Sequence, residues 1–266
     1  MNPEKDYLAI NKNSWNKRTE IHVESEFYDV PSFLNGKSSL NSIELNLLGD
    51  IKGKSILHLQ CHFGQDSISL QRMGAKVTGV DLSDVSIAKA RELAKKAGFE
   101  PTFICCDVYD LPAVLTDQFD LVFTSYGTIG WLPDLTKWAN VISSFLKPNG
   151  KFVFVEFHPV VWMFDDSFRT IGYNYFNTGP IVETESGTYT NREAELVQEY
   201  VCWNHGIAEV LTSLLTNGLA LKEFQEFNYS PYNCFAGTVE LEPKRYRIQH
   251  LEDKIPMVYG LVAEKN

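Results

Sequence analysis

The feature that most constrains the fold is a regular alternation of short apolar runs and amphipathic stretches, which starts at Ser55. The runs SILHLQ, AKVTGVD, PTFICCD, FDLVFTS and KFVFVEF are typical of strands, and DSISLQRMG, SDVSIAKARELAKKAG and DLTKWANVISSFL are typical of helices. Strands that alternate with helices form right-handed crossovers, which produce a parallel sheet with helices on both faces. The uninterrupted apolar segments LVF and FVFV fit strands that are buried on both faces. The sequence therefore predicts an α/β fold with a doubly wound sheet.

The alternation stops after His158. Residues 159–204 are rich in aromatic residues and glycine, and PIVETESGTYT within them alternates like a strand. The helix pattern NHGIAEVLTSLLTNG and the strand patterns LKEFQEFNYS and MVYGLVAEK follow. We therefore predict a core formed by residues 51–158 and 205–266, an inserted substrate-cap region at 159–204, and an N-terminal helical cap at 1–50.

Composition favours a small-molecule partner. The 266-residue chain can bury one large core, and its net charge of -10 argues against a nucleic-acid surface, which usually carries clustered Lys and Arg. The polar N-terminus lacks the apolar segment of a signal peptide, and no apolar stretch is long enough to cross a bilayer. The five cysteines show no C-x-x-C spacing, which indicates reduced thiols and no metal site. We expect a cytoplasmic protein with no nucleic-acid and no membrane partner.

Polar residues follow the ends of four predicted strands, where ligands of open parallel sheets bind. The segments are Gln60 to Asp66 after the first strand, Asp81 after the second, Cys106-Asp107-Val108 after the third and Ser125-Tyr126-Gly127 after the fourth. Asp81 is suited to accept hydrogen bonds from two ribose hydroxyls, and Asp107 to accept one from an adenine amino group. A single strand-end Asp is more often a helix cap, but four such ends in this order predict a nucleoside site. Backbone N–H groups at the start of the first helix suit a carboxylate or phosphate.

The ordered segments LHLQCHFG, VTGVD, FICCDV, FDLVFTSYG and LKPNGKFVFVE resemble the class I S-adenosylmethionine-dependent methyltransferases over roughly residues 50–158. The first loop is similar to that of a small-molecule branch that reads LHLQCHFGQD. The resemblance implies strand order 3-2-1-4-5-7-6 with the last strand antiparallel, S-adenosyl-L-methionine as cofactor and S-adenosyl-L-homocysteine as its product. It implies that Asp81 binds the ribose, Asp107 and Val108 the adenine, and that Ser125 and Tyr126 lie beneath the sulfonium. The predicted cofactor-binding residues are Gln60, Cys61, His62, Gly64, Gln65, Asp81, Leu82, Cys106, Asp107, Val108, Ser125 and Tyr126.

The first loop departs from the pattern (Asp/Glu)-x-Gly-x-Gly-x-Gly that the resemblance implies. His58, Gln60 and His62 stand at the first three positions of that pattern, and only Gly64 is retained. We expect Gly64 at a close approach of backbone to ligand, and negative φ values at Gln60 and His62. The acidic residue of the pattern helps to hold the methionine ammonium, which a neutral His58 does not repel. Gln60, Gln65 or an N-terminal residue are the candidates to replace that acid.

Methyl transfer to an oxygen or nitrogen acceptor needs a group that removes a proton. His158 after the fifth strand, His62 on the first loop and His205 before the last helix are the candidate catalytic bases, and a structural histidine is the simpler alternative for each. The predicted substrate-binding residues are Trp15, Tyr28, Trp131, Trp162 and Tyr189. The segment NKNSWNKRTEIHVESEFYD is either a helix that closes over the cofactor, with Arg18 also facing the site, or a plain surface helix. The aromatic insertion is either an apolar lid or a small core of its own.

Three other functions compete with a methyltransferase that acts on a small-molecule acceptor as a monomer or homodimer. A catalytically inactive S-adenosylmethionine-binding protein fits the altered first loop. A nicotinamide-dependent oxidoreductase normally needs G-x-G-x-x-G, whereas Gln60, His62 and Ser67 fill the nearest positions here. A scaffold subunit without ligand is the third.

Overall fold

A seven-stranded sheet forms the centre of the computed structural model, which describes the backbone of residues 3–266 and the side chains from Asp6 onward. The strands are β1 (Ser55–Leu59), β2 (Lys76–Asp81), β3 (Thr102–Cys105), β4 (Phe119–Ser125), β5 (Leu146–Phe157), β6 (Ile181–Ser186), β7 (Val197–Cys202), β8 (Leu219–Phe227), β9 (Thr238–Glu242), β10 (Arg245–Ile248) and β11 (Val258–Lys265). The helices are α1 (Pro3–Glu24), α2 (Val30–Leu34), α3 (Ser42–Leu48), α4 (Gln65–Arg72), α5 (Asp84–Ala97), α6 (Leu135–Phe145) and α7 (Ile207–Thr216).

The sheet has the order β3-β2-β1-β4-β5-β11-β8. Strands β1 to β5 pair with one another in parallel, and β11 is antiparallel to both β5 and β8. Counted within this sheet, β8 is the sixth strand and β11 the seventh. The predicted order 3-2-1-4-5-7-6 with an antiparallel last strand is therefore confirmed.

Helices cover both faces of the sheet. Helices α6 and α7 pack on one face, where Trp138 is fully buried against Phe152 and Phe154, and α3, α4 and α5 pack on the other. Helix α5 shows why the local sequence forms these elements: Ser83 accepts the Ser86 N–H at its start, and Gly98 ends it with φ of 75°. The strand order reverses between β1 and β4, so a crevice opens at their carboxyl ends.

Two segments leave the sheet and return above this crevice. Residues 159–204 contain the hairpin β6–β7, and β6 alternates between half-buried and exposed residues as PIVETESGTYT predicts. Residues 228–257 contain a second hairpin, β9–β10, whose side chains are exposed or half-buried except for Ile248. No hydrophobic pattern in the sequence predicts this second hairpin, because it has almost no buried face of its own.

Helix α1 covers the crevice, and its buried face is polar. The side chains on this face that are 4% exposed or less are Asn11, Ser14, Arg18, Thr19 and His22. Asn11 exchanges two hydrogen bonds of 2.8 Å with the backbone of Val201 in β7, and Thr19 Oγ1 lies 2.6 Å from Ser86 Oγ in α5. The helix predicted for residues 11–29 thus begins earlier and ends at Glu24. No helix in the described part of the chain combines the length and apolarity needed to span a bilayer.

We expect Asn11→Ala to lower the free energy of unfolding by about 1–3 kcal/mol, because it leaves a buried backbone N–H and C=O of Val201 without partners. Denaturant unfolding measures this change. Asn140→Ala is the matched control: Asn140 is exposed and contacts Asn217 at 3.4 Å, so its loss should cost less than about 0.5 kcal/mol. Equal effects of the two substitutions would contradict a structural role for the α1–β7 contact.

Candidate active site

A cavity of about 1270 Å³ lies at the carboxyl ends of the central strands. Its walls are the loop after β1, the residues that follow β2, β3 and β4, helix α1, the inserted hairpin and residues 231–236. Sites for one small molecule usually measure about 300–1,000 Å³. The cavity therefore has room for a nucleoside-sized ligand and a second small molecule.

The loop after β1 keeps a left-handed backbone at every second residue. The φ values are 54° at Gln60, 50° at His62 and 82° at Gly64. The expectation of negative φ at Gln60 and His62 is wrong. A residue with a side chain costs about 1–2 kcal/mol in the left-handed region of φ and ψ. Two hydrogen bonds of 2.8 Å offset that cost, from Gln60 Nε2 to the Thr128 carbonyl and from the His62 N–H to Asp81 Oδ2.

Gly64 makes its close approach to the protein core. A Cβ atom at this position would lie 2.7 Å from Cζ of Phe103 in β3 and 2.9 Å from Cβ of Ala90 in α5. Gly64 is the N-cap residue of α4, and it has no side chain that could cap the helix. Helix–sheet packing and positive φ thus require a glycine here. Gly64 also lines the cavity, and its approach to a ligand stays a prediction.

Asp81 at the end of β2 connects the first and second loops. Its Oδ2 accepts the His62 N–H at 2.8 Å, and its Oδ1 accepts the Ser83 N–H at 2.9 Å. Burial raises the pKa of Asp81 to about 6, and the two backbone N–H groups oppose this shift. The carboxylate lines the cavity with acceptor capacity to spare, which suits a pair of ligand hydroxyls.

The residues after β3 form the next part of the wall. Cys106 donates its N–H to the Asp81 carbonyl at 3.0 Å, which holds the two strand ends together. Asp107 Oδ1 accepts the Tyr109 N–H at 3.1 Å and so caps a short 3-10 helix, while the half-buried carboxylate still lines the cavity. Leu82 and Val108 also line this end. Asp107 therefore has both the capping role and the position that a nucleobase site needs.

Glu156 organises the loop after β4, a role that the sequence analysis missed. This carboxylate in β5 is 2% exposed and accepts the backbone N–H of Thr128 at 2.7 Å, its hydroxyl at 2.9 Å, and the N–H of Gly127. Burial raises the pKa of Glu156. The signal in the sequence is one carboxylate within the otherwise apolar strand KFVFVEF, because a buried charge requires several donors.

Two of the three candidate bases, His62 and His158, have hydrogen-bond partners at both ring nitrogens. His158 contacts Glu226 Oε1 at 2.9 Å and the Val160 N–H at 3.2 Å, and it is not among the residues that line the cavity. His205 lines the cavity, and its Nε2 lies 2.8 Å from the Leu132 carbonyl. Its buried Nδ1 lies 3.0 Å from Glu209 Oε1 but has no hydrogen-bond partner among the described residues. His62 also lines the cavity, and its ring nitrogens contact His22 and Ser86.

His62 belongs to a hydrogen-bonded chain that joins the first loop to α1. His22 Nδ1 lies 3.0 Å from His62 Nε2, and His62 Nδ1 lies 3.2 Å from Ser86 Oγ. Because Thr19 donates to the Trp15 carbonyl, Ser86 donates to Thr19 and accepts from His62, which places the protons on His62 Nδ1 and His22 Nδ1. Burial lowers the pKa of His22 to about 2 and that of His62 to about 3, so both rings are neutral. No pattern in the sequence indicates His22 as a site residue, because it lies on the polar face of α1.

The predicted substrate-binding aromatics line the cavity in two groups. Trp15 and Trp131, with ring centroids 5.2 Å apart, surround Arg18 together with Tyr200. Arg18 also forms a 2.6 Å ion pair with Glu185, so its charge is compensated within the protein. The second group, here called the aromatic chamber, consists of Tyr28, Tyr126, Phe157, Trp162, Tyr189, Tyr232 and Phe235.

The aromatic chamber draws its rings from five separate segments of the chain. The Tyr28 and Tyr189 hydroxyls hydrogen-bond to each other, and Tyr126 donates to Glu44 at 2.8 Å. Trp162 lies at the rim, 41% exposed, against Phe157 and Phe235. Tyr232 and Phe235 come from the segment between β8 and β9, which the sequence analysis did not connect with the site. Among the described residues, no group of three or more His, Cys, Asp or Glu side chains is arranged to hold a metal ion.

Comparison with known proteins agrees with this geometry. Residues 56–150 match the family model described as "Methyltransferase domain". Over these residues the chain is similar to methyltransferase domains. It is 27% identical over 154 residues to a ubiquinone biosynthesis O-methyltransferase of Xanthomonas euvesicatoria, which covers 53% of this chain and 64% of that protein. An uncharacterized protein of Haemophilus influenzae is 29% identical over 157 residues, 54% of this chain and 61% of its own length. The chain thus spans less than two thirds of these curated relatives.

Solved structures share the fold of the methyltransferase domain and of most of the remaining chain. An S-adenosylmethionine-dependent methyltransferase from Mesorhizobium loti superposes with a TM-score of 0.61 at 23% identity, over 87% of this chain and 100% of that one. A geranyl diphosphate C-methyltransferase from Streptomyces coelicolor, in complex with Mg²⁺, geranyl diphosphate and S-adenosyl-L-homocysteine, superposes with a TM-score of 0.56 at 15% identity, over 84% and 78% of the two chains.

We expect Gly64→Ala to lower the free energy of unfolding by about 2–4 kcal/mol, through positive φ and the clash with Phe103. Thermal and denaturant unfolding measure the loss. Gly98→Ala is the matched control, because Gly98 has φ of 75° but nothing within 4 Å of an added Cβ. Its cost should be about 1 kcal/mol. Equal costs would show that φ alone, and not packing against β3, requires Gly64.

Proposed function

We propose that this protein transfers a methyl group from S-adenosyl-L-methionine to a small-molecule acceptor. The observation that carries the proposal is the Asp81 carboxylate, which faces the cavity beside the point where strand order reverses. The backbone N–H groups of His62 and Ser83 hold its orientation. A carboxylate so placed, between a glycine-containing loop and a second strand-end Asp, suits the ribose of an adenosyl ligand.

The residues that line the cavity fit the cofactor in order along the strand ends. Asp81 would hold the ribose, Leu82, Asp107 and Val108 the adenine, and Ser125 and Tyr126 the region of the sulfonium. Gln60, Cys61, His62, Gly64 and Gln65 would enclose the rest, and Cys106 fixes the distance between the second and third strand ends. S-adenosyl-L-methionine supplies an electrophilic methyl carbon, so the protein has to position the acceptor and exclude water.

The aromatic chamber is the part of the cavity that we assign to the acceptor. Its rings offer a largely apolar wall. The Tyr28 and Tyr189 hydroxyls pair with each other and the Tyr126 hydroxyl pairs with Glu44, which suits an uncharged molecule of limited size. The Xanthomonas relative is a ubiquinone biosynthesis O-methyltransferase, which supports a small organic acceptor. In this proposal residues 1–50 and 159–204 act as caps over the core formed by residues 51–158 and 205–266. Trp15 and Trp131 close the end of the cavity next to the first loop.

His62 and His205 are the candidate bases that we retain, since both line the cavity. His62 has to exchange one of its protein partners for the acceptor before it takes a proton, whereas His205 Nδ1 has no hydrogen-bond partner to exchange among the described residues. We place the activity in the cytoplasm, in a monomer or homodimer. All five cysteines are free thiols, which agrees with a reducing compartment.

We expect Asp81→Ala to weaken binding of S-adenosyl-L-homocysteine by about 1.5–3 kcal/mol, the cost of losing charge-assisted hydrogen bonds. Isothermal titration calorimetry measures the affinity. Asp117→Ala, at an exposed position outside the cavity, is the control and should leave the affinity unchanged. Unchanged affinity of Asp81→Ala would refute the ribose assignment, and the absence of adenosyl binding by the unaltered protein would refute the proposed function.

The affinity should also depend on pH through Asp81. The carboxyl group must lose its proton to accept two hydroxyl hydrogen bonds, and burial raises its pKa to about 6. Binding should therefore be constant above about pH 7 and weaken as the pH falls through 6, approaching tenfold per pH unit once the group is protonated. The pKa values of His22 and His62, about 2 and 3, keep both rings neutral in this window. Titrations with S-adenosyl-L-homocysteine between pH 5 and 8 test this. Asp81→Asn should remove the part of the slope that Asp81 contributes and leave only that of Asp66 and Asp107, whose pKa values burial also raises.

A further inference from the structure

The methionine part of the cofactor carries an α-ammonium group, and the first loop offers it no carboxylate. His58 lies at the end of β1, 3% exposed, with Nδ1 2.8 Å from Ser67 Oγ. Burial lowers the pKa of His58 to about 3, so the ring is neutral and contributes no negative charge. An ammonium group taken from water into a cavity needs a compensating acceptor, preferably an anion. The inference below rests on the proposed function.

The amide groups near His58 are largely occupied. Gln65 Nε2 donates to the Tyr28 carbonyl at 2.9 Å, and Gln60 Nε2 donates to the Thr128 carbonyl at 2.8 Å. These contacts set the orientation of both amides. Gln60 Oε1, however, is buried and has no donor among the described residues. The loop thus holds one neutral acceptor that lacks a partner.

Asp66, close to the first loop in sequence, also lines the cavity with its carboxylate. It lies in the first turn of α4, and Ser125 Oγ at the end of β4 donates to its Oδ2 at 3.3 Å. No Lys or Arg side chain from Asp6 onward lies within 4.0 Å of the carboxylate. Burial raises the pKa of Asp66, and the charge of Lys244 opposes this only from a distance, since Lys244 Nζ is bonded to Asn41. The charge of Asp66 is therefore left without a close cation.

Asp81 and Asp66 flank β1 on opposite sides. Asp81 ends β2, one neighbour of β1, while Asp66 is bonded to Ser125, which ends β4, the other neighbour. Two strand spacings separate β2 from β4, about 10 Å. A ligand that places its ribose on Asp81 and extends across the end of β1 therefore brings the far end of its tail to Asp66.

We propose that Asp66, assisted by Gln60 Oε1, binds the α-ammonium group of the methionine moiety in place of the carboxylate that His58 does not supply. The competing explanation is structural: an acidic residue in the first turn of a helix stabilises the helix through its dipole. A structural role affects every ligand alike through the shape of the site. A charge role affects only those ligands that carry the ammonium group.

The test compares S-adenosyl-L-homocysteine with 5′-methylthioadenosine, which has the same nucleoside and thioether but no amino-acid end. We expect Asp66→Asn to weaken S-adenosyl-L-homocysteine binding by about 10- to 100-fold and to change methylthioadenosine binding by less than about twofold. Asp81→Ala should weaken both ligands. Calorimetric titration gives the affinities, and thermal unfolding of each variant reports its folding.

A second variant tests whether negative charge is what Asp66 supplies to the ligand. In the Asp66→Asn background, His58→Asp returns a carboxylate to the end of β1 and should recover at least about tenfold in S-adenosyl-L-homocysteine affinity. Unchanged S-adenosyl-L-homocysteine affinity in Asp66→Asn, or an equal loss for both ligands, would overturn the assignment of Asp66 and leave the proposed function standing. If the unaltered protein binds neither ligand, the proposed function itself fails.

Discussion

The hydrogen bonds along one face of α1 hold the cavity together. Asn11 contacts the insertion, Thr19 contacts α5, and His22 contacts the first loop, so a single helix connects three parts of the wall. An apolar helix face would hold these parts by burial alone, whereas this face depends on the partners of each polar group. A buried polar network is stable only when its members are satisfied, and it imposes one geometry. The position of the first loop relative to the cap therefore depends on these contacts.

The first loop shows that a backbone conformation can persist after its glycines are lost. Gln60 and His62 adopt positive φ, and each is held there by a hydrogen bond to a neighbouring strand end. The bond from the His62 N–H to Asp81 also orients the carboxylate that we assign to the ribose. The same hydrogen bond thus offsets the strain at His62 and orients Asp81 in the binding site. Gly64 remains a glycine because the core on its inner side leaves no space for a Cβ atom.

The negative charges of the site differ in how they are compensated. Glu156 is surrounded by backbone N–H donors and a hydroxyl, and its role is to hold the loop after β4. Asp81 and Asp66 have fewer partners and face the cavity, where burial raises their pKa values. Carboxylates in this state favour ligands with hydroxyl or ammonium donors. The surroundings of each acid, rather than the count of acids, separate structural from binding roles.

The sequence by itself determined the parallel core, its strand order through the family resemblance, and the residues at four strand ends, because period and strand-end position are local properties. It did not predict the positive φ of Gln60 and His62, since hydrogen bonds to distant residues decide that conformation. His22 and Tyr232 were not predicted as site residues either. His22 lies on the polar face of α1, and Tyr232 lies in the segment after β8. Only the tertiary structure brought His62, His205 and the aromatic chamber to one cavity and left His158 outside its lining. Contacts between segments far apart in the chain decide which residues line the cavity, and no local sequence pattern predicts such contacts.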